Sequence, residues 1–155
     1  TRAANVYGPG QQLYRIIPRT ILYIKMGKKL QLHGGGTSER SFIHMKDVSE
    51  ATLQIAKQAQ PGEIFHIATK NSITIRNLVE MICDLMGVEF DAHVEVVGER
   101  LGKDSAYLLE SSKVRESFGW KDKISLEQGI QDVLGWVENN FTILKDQPFD
   151  YIHKA

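Results

Sequence analysis

Residues 1–12 read T-R-A-A-N-V-Y-G-P-G-Q-Q, and the fold turns on how that stretch is read. Asn5-Val6-Tyr7 leads straight into Gly8-Pro9-Gly10. Proline fixes φ and lacks a backbone donor, while glycine accepts backbone that other residues avoid, so this triplet ends any regular element before it. The stretch reads as the tail of a buried strand emptying into a turn.

The residues after it alternate between helix and strand patterns. I-I-P-R-T-I-L-Y-I-K-M-G predicts a helix with Pro18 at its first position and Gly27 just past its end. K-L-Q-L-H-G-G-G gives a short strand, Leu30 to Leu32, stopped by three glycines, and S-F-I-H-M gives another. Asp47-Val48-Ser49-Glu50 resembles a capping box that opens the next helix. E-I-F-H-I-A-T alternates as a strand, with Ile64, Phe65 and Ile67 as its apolar members. Ile75, Leu78, Val79, Ile82, Leu85 and Met86 recur at helical spacing, and Gly87 stops them. H-V-E-V-V is a strand, and S-S-K-V-R-E-S-F-G-W a short helix with Val114 and Phe118 on one face. Ser125-Leu126-Glu127-Gln128 is a second capping box, opening a helix whose stripe runs Leu126, Ile130, Val133, Leu134, Val137. P-F-D-Y-I-H-K-A has no period and reads as a loop or frayed end. This alternation predicts an α/β fold with parallel strand pairing.

At 155 residues the chain is long enough for one core-bearing domain. Nineteen basic and nineteen acidic side chains cancel, so no basic surface for nucleic acid or a membrane is expected. No apolar run reaches the length of a membrane span. The single cysteine, Cys83, lies in a helical stripe and reads as a buried structural thiol in a reducing cytoplasm. His33, His44, His66, His93 and His153 have no partners at zinc-ligand spacing, so no metal site is expected.

A catalytic set is not visible. No G-x-G-x-x-G, Walker lysine, nucleophile elbow or Tyr-x-x-x-Lys occurs. Anion recognition is. Arg40 follows a glycine-rich turn at the mouth of a strand, and Arg100 stands in E-R-L-G-K-D-S, where Gly102 admits close backbone approach and Lys103 adds a cation. A guanidinium offers paired donors that match two phosphate oxygens, so such arginines suit a diphosphate; each is also an ordinary surface residue. Asn5 has both donor and acceptor capacity, and a turn-initiating role is its plain alternative.

R-x-x-N-V-Y-G-P-G-Q, then I-I-P, then L-x-L-H-G-x-G-x-x-x-R-S-F-I-H-x-x-D-V, strongly resembles the C-terminal half of the extended short-chain dehydrogenase/reductases of the NAD-dependent epimerase/dehydratase family. R-L-G-K-D-S-A-Y-L-L-E-S-S-K-V-R-E-S-F-G-W and L-E-Q-G-I-Q-D-V-L-G-W resemble the nucleotide-sugar 4,6-dehydratase branch, dTDP-glucose 4,6-dehydratases included. The resemblance covers Thr1 to about Asn140. It implies the last Rossmann strands plus the small mixed α/β substrate-binding domain, with residues 1–155 as the second half of an enzyme about twice as long. The glycine-rich dinucleotide loop and the catalytic Tyr-x-x-x-Lys would lie in the first half. In such enzymes NAD oxidises the sugar at C4, water leaves from C6, and the hydride returns there.

For these residues the resemblance implies binding, with no catalytic residue among them. Asn5 would touch the diphosphate of a nucleoside-diphosphate sugar, and Ala4 would line the nicotinamide pocket through its backbone. Arg15, Ile16, Ile17 and Pro18 match the segment that closes over the nucleotide. Gln31, Leu32 and His33 match the strand against the base. Arg40 and Arg100 match the diphosphate pair, Asn71 an asparagine near the nucleotide, and Lys103 and Asp104 the loop after Arg100. Leu101, Lys103, Gln31 and His33 depart from the dTDP pattern, so a GDP, CDP or UDP sugar fits equally. A 4-epimerase or decarboxylase of the same superfamily is a rival reading, and a non-catalytic nucleotide-binding or interaction module is another. In each case association is expected, with the first half or between copies. Replacing Arg100 by Ala in the natural protein is expected to weaken nucleotide-sugar binding chiefly; unchanged affinity in a titration would remove that role from Arg100.

Overall fold

The opening strand is bent at Ala4, and the bend divides its partners. A computed structural model describes residues 1–99, 102 and 104–151. In it the first strands are β1 (Arg2–Ala3) and β2 (Asn5–Tyr7). There follow α1 (Ile16–Lys25), β3 (Leu30–His33), a 3-10 turn at Gly34–Gly36, β4 (Glu39–Arg40), β5 (Phe42–His44) and α2 (Met45–Gln58). Then come β6 (His66–Ile67), β7 (Ile73–Thr74), α3 (Ile75–Met86), α4 (Phe90–His93), β8 (Val94–Val97), β9 (Ala106–Tyr107), α5 (Ser112–Phe118) and α6 (Leu126–Leu144).

β1 pairs with β6, β2 with β5 and β3 with β8, all parallel. Parallel neighbours cannot be joined by a hairpin, and the intervening helices make the crossovers. β4 runs antiparallel to β7 and parallel to β9. The expected α/β fold with parallel pairing is therefore present.

Two apolar cores lie on opposite faces of the β2–β5 pair. Successive side chains of a strand point to opposite sides. Val6 and its partner Ile43 join a core with Phe65, Ile67, Val114 and Trp120. Tyr7 and Phe42 turn the other way, into a core built by α1, β3, α3, β8 and α6 around Ile21, Leu32, Ile82 and Ile130. Burying one such aliphatic side chain stabilises by about 1.5–3 kcal/mol.

The helix ends differ from the sequence pattern in two places. Pro18 is the third residue of α1, not the first. That position still has no intrahelical acceptor for its amide, so proline costs no hydrogen bond there. The second is α2, which starts at Met45, two residues before Asp47, and is capped by the His44 ring, whose Nδ1 accepts from the Lys46 amide at 3.3 Å. Asp47 is buried, and its carboxylate accepts the amides of Lys123 and Ile124, both at 3.1 Å, so it anchors the distant loop before α6. The Ser125–Gln128 capping box, the Gly87 stop of α3 and Gly27 beyond α1 are as predicted. Strand β6 is shorter than its apolar alternation suggests, and β3 one residue longer. The four short elements α4, β4, β7 and β9 carry no periodic signal in so few residues.

Gly129 in α6 lies against the Tyr7 ring: a Cβ there would stand 2.1 Å from the phenol oxygen. Alanine favours helix by up to about 1 kcal/mol over glycine, but overpacking a fully buried ring costs about 1–3 kcal/mol. Gly129→Ala is expected to lower the melting temperature, and Tyr7→Phe in the same chain to recover part of the loss by removing the clashing oxygen. Thermal melts of the four forms check this.

Candidate functional site

The turn that ends β2 is tight for a steric reason. Gly8 has φ +154°, and a Cβ on it would lie 2.7 Å from Met45 Cγ and 2.8 Å from Sδ. The positive φ favours glycine here, and any larger residue would also have to displace the Met45 side chain. Gln11 fixes the turn by donating from Nε2 to the Val6 carbonyl at 2.6 Å and from its amide to the Gly8 carbonyl at 3.3 Å. The chain then enters α1, whose cap residue Arg15 makes no side-chain cap hydrogen bond. The first amides of a helix have no intrahelical acceptor and carry the positive end of its dipole.

Around this turn opens a cleft of about 830 Å³. It is lined by Ala4 to Tyr7, the turn itself, the start of α1, Arg40 and the apolar trio Phe42, Met45 and Ile75. Arg40 reaches it from β4. Its guanidinium donates to the Glu39 carbonyl at 2.7 Å and to the Asp104 carbonyl at 2.9 Å, two bonds that fix the plane of the fork at the cleft wall. Asn5 Nδ2 donates to the Ser41 carbonyl at 3.0 Å.

The cleft thus gathers Ala4, Asn5, Arg15, Ile16 and Ile17 from either side of the turn, and Arg40 from β4. Asp104 meets the site through its backbone carbonyl. Pro18 is buried in the first turn of α1, away from the cleft lining. Leu32 is buried in the core, whereas Gln31 and His33 are exposed on the other face of β3, with His33 Nδ1 3.2 Å from the Gly98 carbonyl. Asn71 lines a second cavity of about 510 Å³ with Ser41, Thr69 and Arg115. Arg100 and Lys103 lie outside the described residues.

Tyr14, Gln11, Phe42 and Met45 also line the cleft and were not singled out from the sequence. Two of them, Gln11 and Tyr14, lie within four residues of the G-P-G turn, so proximity to that turn was an available signal. Phe42 and Met45 give none, since an apolar residue in a strand or first helical turn reads as core.

Two titratable groups at the base of the cleft, Tyr7 and His44, are shifted by burial. Burial, helped by Asp47 and Asp132, pushes the Tyr7 phenol well above its ordinary range, and its hydroxyl donates to the Leu126 carbonyl at 3.3 Å. Tyr7 is a structural phenol that stays protonated. The His44 ring packs edge-on to Tyr7, with centroids 5.4 Å apart, and its Nε2 lies 3.7 Å from Asp132 Oδ2. Burial lowers the His44 pKa from 6.5; Asp132 opposes the shift and Lys46 adds to it.

With this geometry in view, the likeness to known proteins is specific. The sequence profile of the GDP-mannose 4,6 dehydratase family matches residues 1–133. The chain belongs to that family. It is 34% identical over 146 residues to the mouse dTDP-D-glucose 4,6-dehydratase, matching 91% of this chain and 41% of that protein. The crystal structure of the Bacillus anthracis dTDP-glucose 4,6-dehydratase in complex with NAD superposes with a TM-score of 0.85 at 32% identity, over 92% of this chain and 45% of that one. The Thermotoga maritima UDP-glucose 4-epimerase with UDP-glucose gives 0.82 at 26% identity, over 90% of this chain and 45% of that one. The chain therefore spans less than half the length of each of these three relatives.

The His44 environment predicts a pH effect. The folded state favours the neutral ring, so the unfolded chain binds a proton first as pH drops. This contribution to stability is complete above about pH 6.5 and declines as pH falls below it. Melts between pH 8 and 5 are expected to show that decline, with a shallower slope in His44→Gln; equal slopes would remove His44 as its source.

Proposed function

We propose that these residues are the nucleotide-sugar-binding half of an NAD-dependent nucleotide-sugar 4,6-dehydratase, a lyase that modifies a sugar for surface glycans. The observation that carries the reading is the convergence of Asn5, Arg15, the N-terminus of α1 and Arg40 on one cleft. Two guanidinium residues and a helix N-terminus suit the two negative phosphates of a nucleoside diphosphate. The volume falls within the range of small-ligand sites. Phe42 and Ile75 supply apolar wall, which strengthens each polar contact by excluding water.

Ala4 lines the cleft and fits the role of a nicotinamide contact through its backbone, whose position is fixed by its amide bonding the Ile67 carbonyl at 2.9 Å. NAD, when bound, would supply the hydride acceptor and donor. The contribution of this chain is orientation: binding energy from base and diphosphate holds the sugar in place for chemistry done elsewhere. The acid, the base and the dinucleotide loop belong, on this reading, to the rest of a longer protein, and the 155 residues alone are inactive. Association with that other half, or as a homo-oligomer, would cover the short strand edges of β1 and β2. One buried cysteine suits a cytoplasmic enzyme.

A 4-epimerase is the second reading, supported by the likeness to the Thermotoga enzyme. The product separates the two: a 4-keto-6-deoxy sugar from dehydration, a C4 epimer otherwise.

The test is calorimetric titration of the natural protein with dTDP, UDP, GDP and CDP. Arg40→Ala is expected to weaken the tightest of them by about tenfold to a hundredfold, since a hydrogen bond to a charged group is worth about 1.5–3 kcal/mol. Arg40→Lys should fall between, keeping charge and losing the fork. Undiminished affinity in Arg40→Ala would overturn the reading.

A further inference from the structure

The last described residues, 147–151, do not trail into solvent. They fold back along α1 toward the cleft. Phe149 packs against the core beside α1, with its ring 5.7 Å from that of Tyr23 in an edge-on pair. Lys28 Nζ stands 5.7 Å from the same Phe149 ring and 6.0 Å from the Tyr23 ring, so one cation rests over both. Arg19 donates to the Phe149 carbonyl and lies 3.8 Å from Asp150. The Asp150 side chain is 96% exposed, so that ion pair adds little. Beyond it, the Tyr151 ring meets the Tyr14 ring edge-on, with centroids 5.1 Å apart.

Tyr14 is the point of contact with function. It lines the cleft, and the Arg15 guanidinium lies over its ring, 5.3 Å from the centroid. Tyr14 and Arg15 sit in the turn before α1, where the Arg15 amide bonds to the Gln12 carbonyl at 3.1 Å, so the Tyr14 backbone lies outside any helix or strand. Tyr151 is 61% exposed, so its ring meets Tyr14 at the surface of the molecule.

We propose that the segment Phe149–Tyr151 is a strap: Phe149 and Arg19 pin it to α1, and Tyr151 is a positioning residue that braces Tyr14 and, with it, Arg15 at the cleft wall. The role in ligand binding rests on the nucleotide reading of the cleft. The brace itself does not. An unbraced Tyr14 must be ordered when ligand binds, and that ordering subtracts from affinity.

The experiment uses the natural protein, Tyr151→Ala and Tyr151→Phe. Hydrogen exchange without ligand reads the amides of Tyr14 to Ile17, and titration uses the tightest-binding of dTDP, UDP, GDP and CDP. Tyr151→Ala is expected to speed exchange at these amides and to weaken binding about threefold to tenfold, the range of one aromatic pair. Tyr151→Phe keeps the ring and should restore both, with melting temperatures within a few degrees throughout. Unchanged exchange in Tyr151→Ala overturns the strap. Faster exchange with unchanged affinity, in a protein whose affinity does fall with Arg40→Ala, overturns its role in binding. If the unsubstituted protein binds none of the four nucleotides, the nucleotide reading fails, and exchange alone decides whether the brace exists.

Discussion

The parallel pairing of β2 with β5 is the interaction on which the rest depends. Its register sets Val6 beside Ile43 on one face and Tyr7 beside His44 on the other. Because the side-chain period of a strand is two, slipping this pair by one residue would exchange the contents of both cores. Tyr7 is wedged between His44, Phe42 and the glycine face of α6, and the last of these contacts demands Gly129. The same pairing brings Asn5 beside the Ser41 carbonyl and Gly8 beside Met45, so the floor of the cleft is set by the same register.

Electrostatically the cleft and its underlayer are separate. Arg15 and Arg40 bring positive charge to the opening, while the buried Asp47 is spent on two backbone amides and the exposed Asp132 faces His44 and Lys46. A buried carboxylate is tolerated when hydrogen bonds replace its water, and Asp47 meets that condition. Asp47 and Asp132 do not line the cleft, and a cleft whose own charged side chains are arginines suits an anionic ligand better than a cationic one.

Much of the fold was legible because its signals are local. The apolar stripe of α3, its Gly87 stop and the Ser125–Gln128 box depend on residues within a few positions, and each stands where the pattern placed it. Asp47 misled for the opposite reason. An acidic residue three before Glu50 looks like a cap, yet its carboxylate is drawn to the amides of Lys123 and Ile124, which no local pattern indicates. The cap fell to His44, a residue type seldom expected there.

The site divides the same way. The sequence alone determined that N-V-Y-G-P-G ends a strand, that Arg40 follows a glycine turn, and that the whole carries the motifs of its family, because covalent order and local backbone preference suffice for these. Only the tertiary structure decided that Asn5, Arg15 and Arg40 share one cleft, that Asn71 lines another, and that Tyr14 is braced from the far end of the chain. Those juxtapositions come from strand register and helix packing across long separations, where many side chains must fit at once and no short stretch holds the information.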